Sequence, residues 1–283
     1  MDKKIIYINS IFIAVLALIA TLSGLFWKGL YRHDTISGAA QMMGQDLITL
    51  VIGIPILLCS LYLIRRNSLK GQLIWMGTLF YFLYSYASMS FLASYNQLFL
   101  IYVALFSTSL YTFAYGLLSL DVKTIKNSVS PGITIKIAGI FTIFMGAMLA
   151  LMWLSMIISS LLSGNAPAGL ESYTTLVIQA LDLGVLFPAT IIGGSLLLKG
   201  NAWGYALISI LIIKASLLGT AVLSMIVFMA KSGVSVALGE VMFFIIATAG
   251  GIIISTAFYN KIKGMADPVN DNSEFKVKET VSQ

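Results

Sequence analysis

The sequence predicts an all-α protein, a polytopic transmembrane helical bundle of about eight helices. Hydrophobic residues make up 59% of the 283 residues and charged residues only 10%, against about 25% charged residues in an ordinary soluble domain. Apolar stretches recur along the chain at lengths close to the ~20 residues with which a helix crosses a bilayer. Charged residues fall almost entirely between these stretches, so the lipid bilayer is the first expected partner of this chain.

Eight predicted spans follow one another along the chain. In order they cover roughly residues 5–26, 47–64, 72–94, 97–119, 133–161, 173–198, 203–230 and 236–259, each close to the membrane-crossing length. The longest connections between them are predicted to be loops at 27–46 and 162–172. Residues 264–283 are polar and mixed in charge, which predicts a disordered cytoplasmic tail after a transmembrane domain of residues 1–263.

Positive charge is divided unevenly between the two sides of the predicted bundle. With the N-terminus placed inside, thirteen of the 17 Lys and Arg residues lie at the inner side and three at the outer side, while Lys214 lies within a span. Short loops rich in Lys and Arg stay on the cytoplasmic side of a membrane. An even number of spans then predicts that the N-terminus and the C-terminus are both cytoplasmic.

Two regions of the chain match each other at a fixed spacing. A shift of 133 residues places the second predicted span on the sixth, with Pro55 on Pro188 and Gly71 on Gly204. Spans that lie four helices apart run in the same direction, so the match predicts a four-plus-four parallel internal repeat. The alternative is chance, because apolar segments built from few residue types match one another easily. The predicted repeat halves are residues 1–120 and 133–260.

Two charged residues lie deep within predicted spans, Asp182 in the sixth and Lys214 in the seventh. A charge at the bilayer centre costs ~2.5–3.5 kcal/mol on insertion scales, so we interpret both as parts of a ligand- or ion-binding site. Helical side chains lean toward their own N-terminus, and these spans are antiparallel neighbours. We therefore expect the two charges to be separated and not directly paired. The alternative is a structural charge pair, or a lysine that stays neutral when buried.

Proline breaks the helix near Asp182. A proline obstructs the carbonyl four residues back, so Pro188 frees the carbonyl of Gly184, which lies two residues from the carboxylate. The freed carbonyl and the carboxylate together predict a polar site for water or a cation. Pro55 has the same but weaker effect in the second span, where it frees a carbonyl close to Asp46. The alternative is an ordinary proline kink of the kind common in membrane helices.

The other candidate site residues are carboxylates on the predicted outer side. Asp46 and Glu240 would line a vestibule that leads to Asp182. Alternatively, each favours the N-terminus of its own helix. Tyr81, Tyr84 and neighbouring hydroxyl residues recur at helical spacing in the third span, which indicates helix packing more than a ligand pocket.

Several classes of function find no support in the sequence. One cysteine, Cys59, and one histidine, His33, cannot form a Cys/His metal cluster. The phosphate-binding, dinucleotide, zincin and nucleophile-elbow motifs are missing as well. We therefore predict no catalytic residue and no metal site, and the cofactor is unknown. The pI of 9.3 comes without a dense basic stripe, so nucleic acid is not a predicted partner.

Four short runs carry a resemblance to known proteins. They are Gly-Gln-Asp-Leu at 44–47 with Pro55, Leu-Tyr-Leu-Ile-Arg-Arg-Asn-Ser-Leu-Lys-Gly at 61–71, Leu-Asp-Leu at 181–183 with Pro188, and Trp-Gly-Tyr at 203–205. Over most of residues 40–230 the chain resembles an uncharacterised family of bacterial multi-spanning (eight-helix) integral membrane proteins. The resemblance implies the bacterial cytoplasmic (inner) membrane, a plasma membrane location, and brings no established activity.

Three functional hypotheses follow. The first is a transporter for a small solute or ion, with Asp182 as the intramembrane binding or proton-linked group and Lys214 balancing its charge. The second is a membrane-complex assembly or sensory subunit without transport, whose charges dock other helices. The third is an intramembrane lipid-modifying enzyme. The sequence leaves the substrate, the oligomeric state and the choice between these classes open.

Overall fold

The computed structural model describes residues 2–263, which form an all-α bundle. Its nine helices within that range are α1 (Lys3–Phe26), α2 (Ile36–Arg65), α3 (Leu69–Phe91), α4 (Phe99–Leu118), α5 (Val122–Ser128), α6 (Ile133–Ser163), α7 (Val177–Leu198), α8 (Ala202–Lys231) and α9 (Leu238–Asn260). A single 3₁₀ turn, Ala168–Leu170, lies between α6 and α7. The predicted disordered tail, 264–283, lies outside the described residues.

Seven of the described helices are long and apolar enough to cross a membrane: α1, α2, α4, α6, α7, α8 and α9. Large apolar side chains such as Ile8, Phe144 and Ile253 are exposed on the outside of the bundle, where a soluble protein would carry charge. The chain is therefore a multi-pass integral membrane protein whose apolar helices contact lipid. The predicted all-α transmembrane bundle is confirmed.

The third predicted span, 72–94, corresponds to α3, which is not among those seven helices. α3 occupies the centre of the bundle and packs against α2, α4 and α8. Of its 23 residues, 17 are buried, and they include tyrosines and serines that protein, not lipid, surrounds. Because α3 faces other helices on nearly all sides, it does not need the hydropathy of a lipid-facing span.

The predicted outer loop at 27–46 is wrong in its second half, because α2 already begins at Ile36. The Thr35 side chain caps this start by accepting a hydrogen bond from the Gly38 amide at 2.9 Å. Small residues let this first part of α2 pack closely on α8, and a Cβ at Gly44 would overlap the backbone of Met225. This part of α2 is buried against protein and not against lipid. Its sequence can therefore be more polar than that of a lipid-facing span.

α2 and α7 are each interrupted by one π-helical turn. The turns cover Thr49–Gly53 and Asp182–Leu186, and a proline stands at the second position of the α-helical segment that follows each of them. The two turns have the same length and lie 133 residues apart. A π turn re-forms backbone hydrogen bonds around a residue that has no N–H. The helix therefore continues past the proline without a break.

The turns that follow these two helices are also alike. Asn67, after α2, and Gly200, after α7, both adopt the left-handed conformation, with φ of 57° and 67°. Gly71 in α3 lies against the backbone at the end of α2, and Gly204 in α8 lies in the same way against the end of α7. Each pair is again separated by 133 residues, so corresponding parts of the chain adopt corresponding local structure.

Helix packing follows the same pattern. α3 packs on α4 as α8 packs on α9, α2 on α3 as α7 on α8, and α1 on α4 as α6 on α9. α3 and α8 contact each other at the centre. The short helix α5 connects the two sets of four helices.

The two ends of the described chain lie on the same face of the bundle. Lys3 Nζ donates a hydrogen bond of 2.6 Å to Asn67 Oδ1 in the α2–α3 turn. At the other end, the Lys263 amide donates to the Ser128 carbonyl at 2.8 Å, next to an isolated bridge between Val129 and Ile262. The α1–α2 and α3–α4 connections meet at the opposite face. That this first face is the cytoplasmic one stays a prediction from the charge distribution.

Candidate functional site

Asp182 begins the π turn of α7 and is only 5% exposed. Its carboxylate accepts two hydrogen bonds from different helices: the Tyr84 hydroxyl of α3 donates to Oδ1 at 2.6 Å, and the Trp153 indole N–H of α6 donates to Oδ2 at 2.8 Å. Hydrogen bonds to a charged acceptor are among the stronger ones in proteins. The carboxylate therefore joins three helices inside the apolar part of the bundle.

Lys214 is completely buried in the middle of α8. Its ammonium nitrogen lies 3.8 Å from the centre of the Tyr84 ring and 5.7 Å from that of Phe80. Aromatic faces attract cations, and the attraction is strongest where water is excluded. The same nitrogen makes no hydrogen bond to any described residue.

Tyr84 therefore connects the two buried charges. Its hydroxyl binds Asp182 while its ring face covers the Lys214 ammonium. This agrees with the prediction that the two charges are separated instead of directly paired. Because tyrosine carries an apolar ring and a polar tip, one side chain can contact an anion with its hydroxyl and a cation with its ring face.

A second buried carboxylate, Asp46, is 2% exposed. It lies near the face at which the α1–α2 and α3–α4 connections meet. The Tyr31 hydroxyl donates a hydrogen bond of 2.6 Å to Asp46 Oδ2, and Gly24 of α1 lies directly against this pair. Burial, together with the neighbouring carboxylate, raises the pKa of Tyr31 far above its ordinary value, so the phenol keeps its proton and donates. Asp46 lies in the interior of α2, so the alternative role at a helix N-terminus is wrong for this residue.

One turn further along α2, Thr49 opens the first π turn and shares a hydrogen bond of 2.7 Å with the Tyr81 hydroxyl of α3. Thr49 and Asp182 are equivalent positions at the spacing of 133, and both bind tyrosines of the same helix. Tyr81 and Tyr84 lie three residues apart, on one side of α3. The two helix breaks therefore converge on one stripe of α3.

The remaining predicted site residues lie elsewhere. Glu240 is exposed in the first turn of α9, outside the buried clusters. Gly184 is exposed, on a different side of the α7 break from the buried Asp182, and the Phe187 amide donates to the Asp182 carbonyl. Pro188 is half-buried and Pro55 is exposed. Of the predicted set, the structure brings Asp182 and Lys214 into one cluster and keeps Asp46 in a separate one.

At the face where the α1–α2 and α3–α4 connections meet, a third carboxylate is partly buried. Asp34 Oδ1 accepts hydrogen bonds from the Ser94 amide at 2.8 Å and from the Tyr173 hydroxyl at 3.2 Å. Burial raises the pKa of Asp34, and the two hydrogen bonds lower it by a smaller amount. This residue ties three connections together.

Sequence reasoning missed five partners in these clusters: Tyr84, Trp153, Tyr31, Thr49 and Tyr81. In the sequence, Trp153 has the features of an interfacial anchor, and the tyrosines of α3 have those of helix-packing residues. The spacing of 133 would have found Thr49 and Tyr81, because it places them on Asp182 and Lys214. No group of three or more His, Cys, Asp or Glu residues able to hold a metal ion occurs in residues 2–263.

A cavity of about 120 Å³ lies between α6, α7, α8 and α9, and Lys214 is among its lining residues. Asp182 is not among them.

No family model, curated protein or solved structure matches this chain.

Proposed function

We propose that this protein is a membrane transporter for a small solute or ion, with Asp182 as its intramembrane binding or proton-linked group. The observation that carries the proposal is the pair of π turns in α2 and α7, which contact the same stripe of α3. In transporters built from repeats, interrupted helices at corresponding positions of the two halves mark the binding site. The proposal includes the internal duplication itself, with halves 1–120 and 133–260.

The buried charges support this assignment. Asp182 and Lys214 together carry no net charge, so a cation or proton that binds at Asp182 changes the balance of forces on three helices at once. Ionisable residues inside membranes are costly and mark ion pathways or proton relays. A π turn is a local irregularity that is often found at functional sites. α7 thus holds its carboxylate at the place where the helix is least regular.

Proteoliposomes with a pH-sensitive dye inside, and uptake of labelled Na⁺ and Rb⁺, test the proposal. We expect the wild type to move protons or one of these cations faster than Asp182→Asn, which keeps the shape of the side chain and removes its charge. Glu171→Gln, which changes an exposed loop carboxylate, is the matched control and should behave as wild type. Equal fluxes in wild type and Asp182→Asn, with both proteins inserted equally, would reject the assignment.

One observation favours a second candidate, an assembly or sensory subunit without transport. Both oxygens of Asp182 are hydrogen-bonded within the protein and the residue is nearly inaccessible, as is typical of a structural carboxylate. Lys214 cannot dock a partner directly, because it is completely buried. Such a partner would instead contact the exposed apolar helix surfaces. A stable subunit that copurifies with the wild type in stoichiometric amounts, combined with absent flux, would favour this candidate.

A further inference from the structure

We propose that ordered water between Asp34, Asn96 and Tyr102 forms, together with Tyr31, a proton path to the buried carboxylate of Asp46. The path starts at the face where the α1–α2 and α3–α4 connections meet. Its ligand is a proton, and water and hydroxyl groups carry it. The site is separate from the proposed transport carboxylate of α7, and the proposal does not depend on the role of that group.

Three buried polar atoms in this part of the bundle have no hydrogen-bond partner among the described residues: Asp34 Oδ2, Asn96 Nδ2 and the Tyr102 hydroxyl oxygen. Asn96 is 6% exposed and Tyr102 is 1% exposed. The orientation of the Asn96 amide is fixed, because its oxygen accepts a hydrogen bond from the Leu98 amide at 2.9 Å. Buried polar groups in native proteins are almost always hydrogen-bonded, either to protein or to ordered water. We therefore expect water at these three atoms.

The Tyr102 hydroxyl, on α4, lies near both carboxylates. It is adjacent to the side chains of Tyr31 and Asn96 without reaching the geometry of a hydrogen bond to either. Asp34 and Asp46 both act on it electrostatically. The Tyr31 hydroxyl in turn donates to Asp46 Oδ2 at 2.6 Å. These groups therefore form a nearly continuous polar series from the partly buried Asp34 to the fully buried Asp46.

Water fits the three unpartnered atoms better than an ion does. The Asp34 oxygen accepts, the Asn96 amide donates and the Tyr102 hydroxyl can do both. Three partners fall within the two to four that an ordered buried water uses. A metal cation would meet the N–H groups of Asn96, which cannot ligate it. An anion would be repelled by the two carboxylates.

Proton transfer along this series balances at every step. A proton that binds Asp34 passes to the water, and the water gives one of its own protons to the Tyr102 oxygen. The Tyr102 proton moves to the Tyr31 oxygen, and the Tyr31 proton moves to Asp46 Oδ2 along the existing hydrogen bond. Each hydroxyl regains the proton that it loses, so the net change is one proton moved from Asp34 to Asp46. Asn96 donates to the water and holds it in place.

The surroundings of the two carboxylates favour a proton as the bound charge. No lysine, arginine or histidine among the described residues acts on Asp46, and the titratable groups that face it are tyrosines of three elements: Tyr31, Tyr81, Tyr86 and Tyr102. His33 and Tyr173 face Asp34. Burial raises the pKa of Asp34, so this entry point binds a proton at a higher pH than an exposed carboxyl does. Carboxylates buried inside membrane proteins commonly serve as proton relays.

Time-resolved infrared spectroscopy after photolysis of a caged proton, on protein in dodecyl maltoside, tests the path. We expect the wild type to develop a C=O band of a protonated carboxyl that Asp46→Asn lacks. Tyr102→Phe keeps the ring, which stacks on Tyr86, and removes the hydroxyl. In this variant the band should appear at least tenfold more slowly and reach the same final amplitude. Asp34→Asn removes the entry group and should slow the band as well.

Tyr111→Phe is the matched control, because Tyr111 is an exposed tyrosine of the same helix, and it should behave as wild type. Elution volume and melting temperature establish that each variant is folded. If no band of the wild type depended on Asp46, the proposal would be overturned. A wild-type rate in folded Tyr102→Phe or Asp34→Asn would mean that the water is structural only, and it would overturn the path too. The assay measures protonation and not flux, so its outcome is independent of the transport experiment.

Discussion

The Asp182 carboxylate depends on hydrogen bonds from two other helices. Removing the Tyr84 hydroxyl leaves Oδ1 without a partner in an apolar environment, and an unsatisfied buried polar group costs about 1–3 kcal/mol. We therefore expect Tyr84→Phe to lower the free energy of unfolding by about that amount, although the phenylalanine ring still covers the Lys214 ammonium. Unfolding in mixed micelles with increasing SDS measures the change.

Tyr111 provides the control for that experiment. Its side chain is 71% exposed on α4, so Tyr111→Phe should change the free energy of unfolding by less than about 0.5 kcal/mol. If Tyr84→Phe were as stable as Tyr111→Phe, the hydroxyl would not be holding Asp182. The position of the carboxylate would then depend on packing.

Asp34 gives the protein a pH-dependent stability. Burial raises the pKa of Asp34 in the folded protein, so the folded state holds the proton more tightly than the unfolded chain does. Stability contributed at this residue is therefore greatest below the ordinary carboxyl pKa of about 4 and is lost as the pH rises through the higher folded-state value. We expect the melting temperature of Asp34→Asn to rise relative to wild type as the pH increases over this range.

Melting curves of wild type and Asp34→Asn between about pH 4 and pH 7 measure that change. Glu171→Gln, an exposed carboxylate in the α6–α7 connection, serves as the comparison. A difference in melting temperature that stays constant over the whole range would contradict the raised pKa.

At the residue scale, the sequence identified the costly groups but not their partners. Asp182 and Lys214 stand out because a charge within a long apolar segment is rare. Tyr84 and Trp153 do not stand out, because aromatic residues are common in membrane helices for packing and for interfacial anchoring. Which helix faces Asp182 depends on tertiary packing, and the period of a single helix does not carry that information.

At the element scale, the junction between α7 and α8 requires a glycine. A Cβ at position 204 would overlap the backbone of Leu197. Because backbone atoms cannot move away as a flexible side chain can, Gly204→Ala must separate the two helices. We expect a loss of about 1–3 kcal/mol in the free energy of unfolding, which is typical of overpacking. SDS titration or thermal melting measures it.

Gly239→Ala is the matched control, because nothing lies within 4 Å of a Cβ at that position of α9. Alanine is the better helix former, so this variant should be unchanged or slightly more stable. Similar stability losses in the two variants would mean that the close approach of α8 to α7 does not limit packing.

The sequence predicted the lengths of most helices well, because their apolar runs match the thickness of a bilayer. It failed at the start of α2, where Ser37, Gly38 and several of the residues after them are buried against other parts of the protein and do not need high hydropathy. It indicated that the prolines would disturb α2 and α7, but not that each disturbance would take the form of a π turn that starts at Thr49 or Asp182. That choice depends on contacts with α3.

At the scale of the whole molecule, the two faces of the bundle can be distinguished by labelling. Residues 127 and 260 are exposed at the face that carries both ends of the described chain, and Tyr95 is 80% exposed at the other. In a Cys59→Ser background, we expect a membrane-impermeant maleimide to label Tyr95→Cys in intact cells. Asn127→Cys and Asn260→Cys should react only after permeabilisation, because cationic loops stay cytoplasmic.

The opposite labelling pattern would mean that the protein has the reverse orientation in the membrane, and it would not contradict the fold. Labelling of Asn127→Cys and Asn260→Cys on different sides would instead contradict the bundle itself. The backbone hydrogen bonds that join Ser128 and Ser130, at and just after the end of α5, to residues 261 and 263, just after α9, require both positions to share one face.

The central position of α3 has a consequence for how the chain is made. Helices enter the membrane in order as the ribosome synthesises them, and α3 is less apolar than the seven helices that are long and apolar enough to span it. Tyr81 finds its partner on α2, and Tyr84 finds its partners on α7 and α8, which are both translated after α3. We therefore expect the nascent chain to carry an incompletely shielded α3 until its second half emerges, and we expect the insertion machinery, or α2 and α4, to protect α3 during that interval.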